Sequence, residues 1–149
     1  MDTVATAALS AAFALQRAAS RAEPFASWAT RADRLRRLRH LLRANRAALA
    51  AALNDDFGHR SRHETELLEI NPLLDGIADS LRHGAAWMRQ RRRFPGYKYW
   101  PGKAALLPQP LGVAGIVVPW NYPLALSIGP LTSAFVAGNR AMLKLSELT

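Results

Sequence analysis

A chain of 149 residues is long enough for one domain, which would bury about 70% of its unfolded surface. Its net charge of +9, from 20 Lys and Arg against 11 Asp and Glu, admits an anionic partner, whereas the absence of Cys excludes a disulfide framework and any thiolate within these residues. No apolar run reaches the roughly 20 residues that a membrane span needs. Asp2 before the Ala-rich start and Arg17 after it have the wrong polarity for a secretory signal, so a cytoplasmic protein is expected.

The Ala-rich stretch from Val4 to Ser20 predicts a first helix. Pro24, a good first-turn residue, opens a second that runs to Leu53, because Leu35, Leu38, Leu42, Leu49 and Leu53 recur at helical spacing; Gly58 ends the element. Arg31, Arg34, Arg36, Arg37, Arg39, Arg43 and Arg46 fall on the outward arc of that helix. A solvated face explains them better than a nucleic-acid surface, since no aromatic platform is interleaved and no recognition motif follows. Leu67, Ile70, Leu74, Ile77, Leu81, Ala85 and Met88 predict a third helix, ending before Pro95-Gly96. Two extended pieces, Tyr97 to Trp100 and Ala104 to Leu107, are expected to pair across the turn Pro101-Gly102-Lys103.

From Gln109 onward the pattern changes to strand, helix and strand. Val113 to Val118 is an apolar run stopped by Pro119, which has no N–H to donate, so Asn121 sits just past the carboxyl end of a strand, where open α/β sheets bind ligands. Pro123 opens a helix with Leu124, Ile128, Leu131 and Phe135 on one stripe, and Gly138-Asn139 closes it. Ala141 to Leu145 is the second strand, a parallel neighbour of the first, and it delivers Lys144 and Glu147 to the same edge. Taken alone, Asn121 reads as a residue near a helix start, Trp120 as core, and Lys144 with Glu147 as a surface ion pair worth about 0–1 kcal/mol.

Other constellations carry less. Asp56-Phe57-Gly58 matches a kinase magnesium loop, but no Gly-rich or catalytic loop accompanies it. His59 and His63 lie four apart beside Glu64, yet Gly58 makes the stretch a helix boundary and no third ligand is apparent, so no metal is expected. Gly112-Val113-Ala114-Gly115 precedes the strand's end instead of opening a helix, which is the wrong place for a dinucleotide fingerprint.

Four motifs in order, Pro110-Leu111-Gly112-Val113, Pro119-Trp120-Asn121-Tyr122-Pro123, Ala137-Gly138-Asn139 and Lys144-Leu145-Ser146-Glu147, resemble the start of the cofactor domain of the aldehyde dehydrogenase superfamily. Asp56-Phe57-Gly58, Glu64-Thr65, Trp87-Met88 and Ser146-Glu147-Leu148 are similar to its fatty and coniferyl aldehyde branch. The resemblance implies an α/β fold, in which N-terminal helices precede the beginning of a Rossmann-like parallel sheet. Residues 1–95 would be the helical lead-in, 96–108 an extended hairpin of the type used in subunit association, and 109–149 the first β-α-β of an NAD(P)-binding domain. It also implies oxidation of an aromatic or long-chain aldehyde, coniferyl aldehyde being the nearest example, by a homodimer or larger homo-oligomer. Asn121 would be the oxyanion donor, Pro119 and Trp120 would line the nicotinamide side, Val118 and Asn121 would also contact the cofactor, and Lys144 and Glu147 would hold the adenosine ribose. Because a carboxylate accepts from a 2′-OH and repels a 2′-phosphate, Glu147 makes NAD the first cofactor and NADP the second. Leu145 stands where the family usually has Pro, which frees a φ angle just before Glu147. The catalytic Cys and general-base Glu of the family lie downstream of this last motif, outside the chain, so the 149 residues are expected to be part of a longer enzyme and silent by themselves. The alternative is a non-catalytic binding or assembly module whose Arg-rich helices hold an anionic partner.

Overall fold

The computed structural model describes residues 3–149, with side chains from Thr6 onward. Helix α1 spans Thr3–Ala22, and α2 spans Trp28–Ala44. The second helix begins four residues later than Pro24 suggests, because Ser27 supplies a true N-cap, its Oγ accepting from Thr30 N at 3.2 Å. It also ends early. Asn45 leaves the helical region with φ −105° and ψ 12°, its Nδ2 donates to Leu41 O, and a separate helix α3 follows over Arg46–Phe57.

The predicted third helix begins upstream of Leu67 and contains an irregular turn. Helix α4, Arg62–Thr65, passes through a π turn at Glu66–Ile70 into α5, Asn71–Trp87. The wider turn slips the register, so Leu67, expected on the buried stripe, is 67% exposed, while Thr65 and Glu69 point inward. Arg46 of α3 fixes the turn from outside, donating through Nε to both carboxylate oxygens of Glu66 and through Nη2 to Asn71 Oδ1 at 2.7 Å. Those bonds hold the Glu66 carboxyl below its ordinary range.

An antiparallel pair is present, but not the one expected, since Tyr97 to Trp100 does not pair across Pro101-Gly102-Lys103. Strand β1 is Arg91–Arg93, antiparallel to β2, Ala104–Leu106, whereas Tyr97–Tyr99 forms a turn of 3-10 helix. Gly96, at φ 92°, bends the chain just before the aromatic segment, and Tyr99 N and Trp100 N then bond back to Gly96 O and Tyr97 O.

Strand β3, Val113–Val117, and β4, Arg140–Lys144, are parallel neighbours joined by helix α6, Pro123–Ala137, as the right-handed crossover predicts. Both strands keep the expected span to within a residue, and Val118 N continues the ladder to Lys144 O. Gly138, at φ 87°, ends α6 in the left-handed conformation. Leu35, Leu38 and Leu42 of α2, Ile70, Leu73, Leu74 and Ile77 around α5, Leu131 and Val136 of α6, and Ile116 with Val118 form one core. Arg31 does not lie on the solvated arc expected of it. It is buried, with Nε donating to Ala26 O and Nη1 to Val136 O, so it satisfies a carbonyl at the end of α6. Burial, reinforced by nearby Arg34, lowers its pKa from the usual guanidinium value.

Candidate functional site

The loop after β3 carries the candidate residues. Val118 is buried and its N–H is taken by Lys144 O, so it offers little to a ligand, whereas Pro119, Trp120 and Asn121 are exposed. Trp120 and Asn121 border a hollow of about 400 Å³ that Phe57, His59, Arg60, Glu64 and Tyr122 complete. Trp120 is not core, as its residue type alone suggests. It is 53% exposed, with its ring centroid 6.2 Å from that of Phe57.

Asn121 does not cap the helix. Tyr122 occupies the N-cap position of α6, and the Asn121 side-chain amide has no hydrogen-bond partner among the described residues; only its carbonyl is engaged, accepting from Arg60 Nη1 at 2.8 Å. Capping falls instead to Glu69, whose Oε2 accepts from Leu124 N and Ala125 N at 2.9 Å each. An amide left free beside an open hollow can donate to an incoming carbonyl oxygen.

At the neighbouring edge, Lys144 ends β4 and Glu147 follows three residues on, with Nζ and Oε1 2.6 Å apart. The hydrogen bond from Lys144, then its charge, hold the Glu147 carboxyl below its usual range. Both side chains remain largely exposed, so an ionised acceptor and an ammonium donor stand open together. That donor and acceptor set suits a sugar diol, and Val117 pairing with Lys144 brings this edge beside the Asn121 loop. Both groups therefore belong to one end of the β3–β4 sheet, as the strand order requires.

Sequence reasoning missed Arg60, Glu69, Asn139 and the inward role of Arg31. Glu69 leaves one trace, a carboxylate inside the apolar run Leu67-Leu68-Glu69-Ile70. Asn139 is buried and ties the loop before β3 to the turn before β4, its Oδ1 accepting from Leu111 N and Gly112 N.

The family profile described as "Aldehyde dehydrogenase family" matches residues 2–149. The chain belongs to the aldehyde dehydrogenase family. A probable coniferyl aldehyde dehydrogenase of Pseudomonas aeruginosa is 49% identical over 141 residues, covering 95% of this chain and 30% of that protein. Among solved structures, Staphylococcus aureus AldH in a substrate-bound state superposes with a TM-score of 0.87 at 24% identity, over 99% of this chain and 31% of that one. A Mycobacterium tuberculosis aldehyde dehydrogenase complexed with NAD+ gives a TM-score of 0.81 at 23% identity, over 96% and 29%. These two likenesses establish the fold, that of an α/β aldehyde dehydrogenase. The chain thus spans about 30% of the length of these relatives.

Proposed function

We propose that the chain is the oxyanion-donor and ribose-binding segment of an NAD-linked aldehyde dehydrogenase that oxidises an aromatic or long-chain aldehyde to its carboxylic acid. Coniferyl aldehyde is the first substrate to try, because the Pseudomonas aeruginosa relative carries that name. The observation that carries the reading is the unpartnered Asn121 amide at the carboxyl end of β3, opening on a hollow of about 400 Å³.

In this reading Asn121 Nδ2 donates to the aldehyde oxygen and strengthens its hold as that oxygen gains negative charge under thiolate attack. A donor placed in advance acts on the transition state more than on the ground state, and its loss costs about 2.7–4 kcal/mol. Lys144 and Glu147 hold the ribose hydroxyls of the cofactor, and Pro119 and Trp120 border the nicotinamide side. The nicotinamide, when bound, takes the hydride. Glu147 favours NAD over NADP, since its ionised carboxylate repels a 2′-phosphate. With no Cys, these residues do not provide the thiolate, so the 149-residue chain alone is expected to give no turnover. The β1–β2 hairpin is proposed to join subunits of a homo-oligomer.

The test is a chimera in which residues 2–149 replace the matching segment of the Pseudomonas aeruginosa relative. It should reduce NAD with coniferyl aldehyde, and Asn121→Ala should lower kcat about 100- to 1,000-fold with little change in KM. A chimera that folds, binds NAD and turns over equally well with Ala at this position would sink the assignment.

A further inference from the structure

The charged pair beside the Asn121 loop has no part in the reading above, although both of its side chains are buried. Glu69 is 0% exposed and the Arg60 side chain 4%, with Nη2 and Oε1 2.9 Å apart. Removing two charges from water is costly unless their remaining bonds are well used. Here Arg60 Nε finds no acceptor among the described residues, and the bonds that are made converge on a single turn. Glu69 Oε2 takes the N–H groups of Leu124 and Ala125, and Arg60 Nη1 donates to Asn121 O. The guanidinium also lies 4.8 Å from the Phe57 ring centroid and 4.7 Å from that of Tyr122, so it is clamped between an upstream helix end and the loop.

Two consequences follow. The first-turn amides of α6 that donate to Glu69 are consumed, so they are closed to a substrate oxygen, whereas the Asn121 side-chain amide stays free to donate. The orientation of Asn121 is also set from a distance, since Arg60 and Glu69 lie 61 residues from Asn121 and 55 from Leu124 in the sequence. We propose that Arg60 and Glu69 are positioning residues that together aim the Asn121 amide into the hollow. Arg60 borders the hollow, but the role of both residues is indirect: Glu69 fixes the start of α6, the π turn turns Glu69 inward to do so, and Arg60 fixes the peptide that bears the donor. Their catalytic value rests on Asn121 being the oxyanion donor.

Hydrogen exchange in the 149-residue chain tests the aiming itself. The Leu124 and Ala125 amides should be protected in the parent chain and should exchange at least about tenfold faster in Glu69→Ala, the effect of losing a charged acceptor. Amides in the middle of α5 should not change. If Glu69→Ala fails to fold, Glu69→Met, which fills much the same space and removes the acceptor, is read at the same positions. Equal exchange in parent and variant, or no protection in the parent, overturns the proposal.

A double-mutant cycle in the chimera then asks whether the aiming matters to catalysis. Arg60→Met should lower kcat about 100-fold when Asn121 is present and less than about threefold when Asn121 is already Ala, with Arg60→Lys recovering part of the loss. The same loss in both backgrounds would mean that Arg60 acts other than through Asn121, and the proposal fails. If instead Asn121→Ala alone leaves kcat intact, the oxyanion reading fails, and the exchange rates still decide whether Arg60 and Glu69 set the loop.

Discussion

Two main-chain N–H groups, those of Leu111 and Gly112, depend on the single side-chain oxygen of Asn139, at 2.7 and 2.9 Å. Asn139 is itself buried, and its neighbour Arg140 donates from its main chain to Gly112 O, so the entry to β3 and the entry to β4 are joined through three bonds. A buried donor left without an acceptor costs more than an average hydrogen bond contributes. Asn139→Ala should therefore destabilise the chain by about 1–3 kcal/mol, read as a lower midpoint in chemical denaturation, while Asn139→Asp, which keeps an acceptor, should lose less. Equal losses for the two would show that the oxygen is not what matters. The sequence displays Asn139 only as part of a helix end. Its bonds reach 27 and 28 residues back along the chain, a distance that periodicity does not register.

Elements were legible where one physical signal dominated. The stripe of Leu35, Leu38 and Leu42 packs inward as its spacing predicts, and the β3-α6-β4 crossover follows from one apolar run, two prolines and a glycine at the helix end. Elsewhere two signals competed. Arg91–Arg93 forms a strand that no hydrophobic pattern announces, whereas the aromatic Tyr97–Tyr99 has β propensity and folds as a turn because Gly96 bends the chain before it. The π turn was equally hidden, since an extra residue in a helix changes register without changing composition. Arg46 clamps that turn through Glu66, which gives it a pH dependence. The folded-state pKa of Glu66 is depressed from 4.5, so the clamp contributes fully above the unfolded value and is lost as pH falls through the lower, folded one. Thermal melts from pH 6 downward should thus show an acid loss of stability that is shallower in Glu66→Gln. Parallel pH profiles for parent and variant would refute this account.

At the scale of the whole molecule, the accessible surface is 10161 Å² for 16.4 kDa, against about 7,500 Å² for a compact monomer of that mass. Exposed apolar side chains such as Leu111, Val117 and Trp100 contribute to it. The β3–β4 sheet has only two strands, so each has an unpaired outer edge, and a pair of strands is marginal in water without further cover. Helix α6 packs on one face, and α1 covers the other only in part. Between α1 and the sheet lies an open hollow lined by Leu9, Phe13, Ile116, Val117, Met142 and Leu143, of which Val117 is 80% and Leu9 61% exposed. Ile116 and Val118 are buried, while Val117 and Leu143 face solvent. Apolar area of this extent, next to open strand edges, favours association over a solitary monomer. The purified chain should bind ANS strongly, elute later as it is diluted, and lose dye binding when Val117→Lys and Leu143→Lys are combined. The paired charges should act on the exposed face alone and leave the helical signal of α2 and α5 unchanged. A sharp cooperative melt with monomeric elution and no dye binding in the parent chain would instead mean that α1 closes over the sheet in solution, and that the surface seen here is covered from within.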